Sequence, residues 1–212
     1  MNPFHLSAKQ IWLEETDSTN RALRRHIGDY DSLSFLAAYG QTAGRGQGDH
    51  TWFSTPGKNL TFSYLLRYSE FLGHPLATDD ALLITCVTTL GIRDYLLTHE
   101  VKADIKWPND IWVDGKKICG ILIENILEDG AIRESIIGVG LNLNETGWPE
   151  ELPNPVSLTE LTGKTYDPAA ELEALSNEIC RRCAMLAQPD GSVSLQEEFG
   201  KYMFRLSEEA RP

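Results

Sequence analysis

Hydrophobic positions along the chain alternate between a period of two and a period near 3.6, and the changes of period mark out the elements. Residues 11–13 read as a short strand, and T-D-S-T-N then offers an N-cap for a helix carrying Ala22, Leu23 and Ile27 ahead of Gly28. Residues 35–39 form an apolar strand running into a glycine-rich loop. Over residues 59–67, Leu60, Phe62, Tyr64 and Leu66 alternate, which predicts a half-buried strand. Leu82, Leu83, Val87, Leu90, Tyr95 and Leu97 recur at helical spacing and predict a long core helix over 79–98. Three strands follow at 105–107, 111–113 and 117–126, with Asn109-Asp110 as the first turn and Asp114-Gly115 as the second. Another turn at Asp129-Gly130 leads into a strand that ends in glycines. Ser157 and Glu160 form a capping box, and Asp167-Pro168 opens a helix carrying Leu172, Leu175, Ile179, Cys183 and Leu186. A final helix is predicted at 194–204.

Hairpins outnumber β-α-β units in this order. The expected fold is therefore α+β, with helices packed on a mixed, mostly antiparallel sheet. A chain of 212 residues is long enough for a sizeable core. Its net charge of -12 argues against a nucleic-acid footprint, yet Arg24, Arg25, Arg45, Lys106, Lys116 and Lys117 can still focus on one cleft. The N-terminus lacks a basic stretch followed by an apolar run, and no segment approaches the roughly 18 apolar residues of a membrane span. Of the four cysteines, Cys180 and Cys183 form C-x-x-C without a second pair, inside a helical pattern. Buried, reduced thiols are expected, and with them a cytoplasmic protein.

The loop Q-T-A-G-R-G-Q-G-D-H-T-W at 41–52 fits neither familiar nucleotide motif. Its glycines are spaced G-x-G-x-G, no helix follows, and no G-x-x-x-x-G-K occurs. Its backbone N–H groups can converge on an anion around Arg45, and Trp52 can stack on a base; a plain hairpin loop with a core tryptophan remains an equal alternative. I-K-W-P-N-D sets Lys106 at a strand end, where alternation turns it away from the apolar face. Gly120 in G-K-K-I-C-G-I-L-I-E lets a ligand approach the sheet, and G-V-G-L-N-L-N sets Asn142 just past paired glycines.

T-D-S-T-N, Q-T-A-G-R-G with W-F-S after it, K-W-P-N-D, K-I-C-G-I-L-I-E and G-V-G-L-N-L-N, in this order, resemble the biotin protein ligases. The resemblance implies a catalytic domain over 1–190, related to class II aminoacyl-tRNA synthetases, and a C-terminal helix and tail at 191–212. It implies adenylation of biotin by ATP with Mg²⁺, then transfer to a lysine of a biotin carboxyl carrier protein such as that of acetyl-CoA carboxylase; it admits a homodimer. Carried over to this chain, Ser18, Thr19 and Asn20 bind the ureido end and Gln41 lines the biotin pocket. Gly44, Arg45, Gly46 and Gln47 close over the biotin tail and phosphate. Gly120, Ile121 and Leu122 form the floor under the thioether ring. Lys106 bridges the biotin carboxylate and α-phosphate, with Arg45 as a second catalytic cation. Trp52 and Asn142 contact the nucleotide, and metal ligands stay unassigned.

Two departures from the family pattern stand out. The loop reads G-R-G-Q-G-D-H where further cations are usual, with Asp49 at a glycine position where φ > 0 is expected. The residues after the catalytic pattern are too few for the SH3-like domain of relatives, and none precede it for a winged helix, so no operator binding is expected. A binding protein that retains biotin without completing transfer is the alternative. A lipoate ligase would need an R-x-x-G-G-G loop that the sequence lacks.

Overall fold

The structure, a computed structural model, describes residues 8–204. The first seven residues and the tail at 205–212 lie outside the described residues, so the leader and tail expectations fall partly there. An eight-stranded mixed sheet runs in the order β1 (Lys9–Thr16), β2 (Ser34–Gln41), β3 (Leu60–Arg67), β8 (Ala131–Leu141), β7 (Lys116–Glu128), β6 (Asp110–Val113), β5 (Asp104–Lys106), and the short β4 (Leu76–Ala77) pairs with β8. Among the described strands, β1 and β2 pair in parallel and the other strand pairs are antiparallel. Both Asp-Gly turns have positive φ at each residue, 48° and 76° at Asp114-Gly115 and 52° and 79° at Asp129-Gly130, as tight two-residue hairpins require.

Two apolar clusters cover the two faces of the sheet. The larger gathers β3 side chains Leu60, Phe62, Tyr64 and Leu66 under α3 (Leu82–Thr98), α5 (Pro168–Leu186) and α6 (Gly191–Tyr202). The smaller sets Leu36, Leu65 and Ile136 against Ala22 and Leu23 of α1 (Thr19–Arg25). β3 is thus buried on both faces rather than half-buried, because α1 covers the side where alternation predicted solvent. The 3₁₀ turn before α3 and α3 itself are long and apolar enough together, Thr78–Thr98, to cross a membrane. Val87, Leu90 and Tyr95 are nevertheless fully buried in the sheet core.

Other expectations shift locally. α1 stops at Arg25, and Ile27 falls in a separate 3₁₀ turn whose carbonyls at Ile27 and Tyr30 are held by Arg67. Leu97 is 58% exposed rather than in the core. The turn after β5 is 107–109, since Asp110 already pairs with Lys106 as part of β6. α2 (Tyr68–Phe71) and α4 (Leu158–Thr162) are short, and α4 opens with both hydrogen bonds of the Ser157–Glu160 capping box. Asp167 caps α5 with Pro168 at its first position.

All four cysteines are free and buried, and burial pushes the Cys86 and Cys180 thiols up to about 12. They are packing residues, not thiolate nucleophiles. Arg182, only 4% exposed, joins three helices. It donates to Asp94 of α3 at 2.5 and 2.9 Å and to Glu198 of α6 at 2.6 and 2.8 Å.

Candidate functional site

The face of the sheet beside α1 holds a cavity of about 330 Å³, within the size range of small-molecule sites. Its floor is cut by missing side chains. Gly120 of β7 pairs with Gly140 of β8, and Leu122 pairs with Gly138. A Cβ at Gly138 would collide with Asn20 Oδ1, and one at Gly140 or Gly120 with the Trp52 indole. The glycines therefore let α1 and the loop tryptophan sit directly on the sheet.

One end of the cavity is polar. Ser18 is the N-cap of α1, and Ser18, Thr19 and Asn20 are each at most 4% exposed. Gln41 Oε1 accepts from the Thr19 amide at 2.9 Å and lies 3.3 Å from its hydroxyl. The turn before α1 is braced by Asp17, which takes two bonds from Arg25 at 2.9 Å; that guanidinium and the Ser18 amide hold its carboxyl well below the usual range.

The roof is the 41–52 loop, which folds on itself as a small hairpin. Arg45 bridges Thr51, Gly46 donates to His50 O at 2.7 Å, and Trp52 donates to Gly44 O at 3.1 Å. These amides are spent inside the hairpin, so the converging anion cradle expected from the glycines does not form at Gly46. The Arg45 guanidinium rests on Glu124 at 3.1 Å. Positive φ falls on Gly48, at 62°, and not on Asp49, so the acid in the loop meets no backbone conflict. Gln47 and His50, which replace cations of the family pattern, line the cavity.

Glu145 supports the segment after the hairpin. Its side chain is 1% exposed and accepts from Thr55 N, Asn59 Nδ2 and Lys58 Nζ at 3.2, 3.3 and 3.4 Å. Burial alone would raise its carboxyl, but the bonds from Thr55 and Lys58 outweigh it and the net shift is downward. A depressed carboxyl adds stability that is complete above the ordinary carboxylate range and is lost as pH falls through the folded value. Glu145→Gln should therefore be about 1–3 kcal/mol less stable than the parent at pH 7, with the gap in urea unfolding closing toward pH 3. A gap independent of pH would refute the charged role.

Of the residues expected in the site, Ser18, Thr19, Asn20, Gln41, Arg45, Gly46, Gln47, Trp52, Gly120, Ile121 and Leu122 line the cavity. Three do not. Gly44 lies at the base of the hairpin, where its close approach to the Trp52 carbonyl leaves no room for a Cβ. The Asn142 side chain is 3% exposed and its Nδ2 donates to Lys117 O and Val156 O, so its amide nitrogen ties backbone together and is not offered to a nucleotide. Lys106 is on the expected face, in register with Asp110 and Gly120, but two strands out, which is about 10 Å. Its ammonium lies 3.8 Å over the Trp112 ring.

The lysine that does enter is Lys117, paired with Asp110 at 2.8 Å and 5.6 Å from the Trp52 ring. A β-bulge delivers it. Ile111 pairs with Cys119 but Trp112 pairs with Lys117, so Ile118 is an extra residue and the alternation of β7 inverts there. Sequence reasoning also passed over Asn109, Asp110, His50 and Gly138–Gly140 as lining; the period-two glycines were the available signal. Among the described residues no group of three or more His, Cys, Asp or Glu side chains could hold a metal.

The sequence profile of the Biotin/lipoate A/B protein ligase family matches residues 12–142. The bifunctional ligase/repressor BirA of Bacillus subtilis is 35% identical over 165 residues, covering 76% of this chain and 48% of that protein. The biotin--[acetyl-CoA-carboxylase] ligase of Paracoccus denitrificans is 30% identical over 183 residues, covering 82% and 72% respectively. A biotin protein ligase from Aquifex aeolicus, solved with biotin and ATP, superposes with a TM-score of 0.78 at 30% identity, over 93% of this chain and 79% of that one. The chain spans about half the length of the BirA relatives it matches.

Proposed function

Since the chain belongs to the Biotin/lipoate A/B protein ligase family, we propose that it activates biotin with ATP and transfers it to a lysine of a biotin carboxyl carrier protein. The observation that carries this reading is one cavity with a hydrogen-bonding end at Thr19 and Gln41 and a cationic end at Lys117. Biotin has the matching ends, a ureido ring and a carboxylate.

In the first step a biotin carboxylate oxygen attacks the α-phosphorus of ATP, the α–β phosphoanhydride bond breaks, and pyrophosphate leaves. Two anions must approach each other, so the catalyst has to supply fixed positive charge where they meet. Lys117 takes that role in this reading, in place of Lys106, while Arg45 of the lid is held on Glu124 at the ureido end. Ser18, Thr19 and Gln41 hold the ureido ring, and Leu122 with the glycine floor takes the thioether ring. Trp52, stacked over Gly120 and Gly140, walls off the nucleotide side from solvent.

The Mg²⁺ that accompanies ATP usually keeps its waters and takes one or two carboxylates plus phosphate oxygens. Asp110 is the carboxylate lining the cavity that suits it, and the ion would neutralise the leaving pyrophosphate. In the second step a carrier lysine attacks the acyl carbon of biotinyl-5′-adenylate, and AMP leaves. The four free, buried thiols support work in a reducing compartment, the cytoplasm.

Pyrophosphate release that depends on both biotin and ATP, followed by biotin incorporation into a carrier fragment, is the expected result. Tight biotin binding without pyrophosphate release would replace the ligase with a biotin-binding protein.

A further inference from the structure

Glu124 of β7 divides its two carboxylate oxygens between two elements. Oε2 accepts from Asn20 Nδ2 of α1 at 3.0 Å, and Oε1 accepts from Arg45 of the lid at 3.1 Å, with Arg24 3.9 Å away. An ionised carboxylate only accepts hydrogen bonds, so Asn20 must turn its amide nitrogen toward Glu124 and its Oδ1 away. That Oδ1 lies 2.5 Å from Ser63 Oγ, and since it too can only accept, the single Ser63 proton is committed to it.

Ser63 is fully buried on β3, and its oxygen also lies 2.7 Å from Thr19 Oγ1. With its proton already given to Asn20, Ser63 can only accept there. The 2.7 Å contact then needs the Thr19 proton, which goes to Ser63, while Gln41 Oε1 is served by the Thr19 amide at 2.9 Å. The proton points into the protein and leaves Thr19 Oγ1 with lone pairs for the cavity. Reversing any member would leave a buried donor facing a donor, which costs more than the hydrogen bond contributes.

We propose that Glu124 is a positioning residue that fixes the donor–acceptor polarity of this end of the cavity. The chain runs from Thr19 through Ser63 and Asn20 to Glu124, so Thr19 Oγ1 is presented as an acceptor for a ureido N–H. The second oxygen of Glu124 keeps the Arg45 lid tied to the same end. The inference rests on the biotin reading and extends it to residues that do not line the cavity.

Glu124→Gln is nearly isosteric but can donate, so it removes the main acceptor that orients Asn20 and leaves only the long 3.5 Å contact to Leu122 O; Ser63→Ala cuts the chain one step closer to Thr19. Calorimetric affinities for biotin and for ATP, measured separately on the parent, both single variants and the double variant, test the idea, with urea midpoints as a check on folding. Each single variant is expected to weaken biotin binding about tenfold, the loss of roughly one buried hydrogen bond, and to leave ATP binding within about twofold. The double variant should lose less than the product of the two, because both act on one chain. Parent-like biotin affinity in Glu124→Gln, equal losses for biotin and ATP, or losses that simply multiply would each overturn the proposal. A parent protein that binds no biotin sinks the ligase reading and this inference together.

Discussion

Replacing Lys117 by glutamine is expected to lower biotin-dependent pyrophosphate release by about 10²–10³-fold, the usual cost of removing one preorganised group that stabilises developing charge. The same change at Lys106 is expected to cost less than about tenfold, since its exposed ammonium sits over Trp112 and does not line the cavity, so solvent screens it. The contrast is sharp because both lysines lie on the same face of the sheet. Lys117 borders the cavity beside Asp110 and Trp52, whereas Lys106 is exposed and engaged with Trp112. Folding should survive, because Asp110 is partly exposed and can be rehydrated when its partner is lost. Initial rates with saturating ATP, alongside urea midpoints for both variants, measure this. Near-normal turnover in Lys117→Gln with loss in Lys106→Gln would return the bridging role to Lys106.

Arg182→Ala should destabilise the protein by about 3–5 kcal/mol, in the range for breaking a buried ion pair by removing one partner. The guanidinium is almost fully buried and satisfies Asp94 and Glu198 with paired bonds. Without it two partly exposed carboxylates from different helices lose their shared, buried donor. Arg181 also reaches Asp94, at 2.5 Å, but is half exposed and bonded to Glu178 as well, so it offsets little of the loss. Arg182 donates to Glu198 and holds that carboxyl below its usual range; removing it lets Glu198 take up a proton more readily, and the defect should shrink as pH falls. Urea unfolding at pH 7 and pH 4 reads both effects. Ligand affinity of the folded fraction should not change, because the helices α3, α5 and α6 lie across the sheet from the cavity. A loss under about 1 kcal/mol would mean that the network is solvated in practice.

Much of the architecture was legible locally. The Asp-Gly turns, the Ser157–Glu160 box and the Asp167-Pro168 start are short-range devices whose geometry depends on the residues themselves, and all form as read. Gly120 also announced a close approach to the sheet, although its occupant, the Trp52 ring, comes from another segment of the chain. Leu97 and β3 were misjudged because burial is decided by what packs against an element, and α1 was not visible as the cover for β3.

The sequence by itself determined the order of hairpins and helices, the α+β class, and the motifs that line the cavity, because periodicity and turn chemistry act over a few residues. Only the tertiary structure decided which lysine enters the site. Strict alternation counted back from Gly120 turns Lys117 toward the core; one extra residue, Ile118, opposite β6 inverts that parity and swings Lys117 into the cavity. A bulge is a property of the pairing between two strands, and neither strand alone encodes it. For the same reason the amide nitrogen of Asn142, conspicuous beside its glycines, proved to be committed to backbone carbonyls from two other segments.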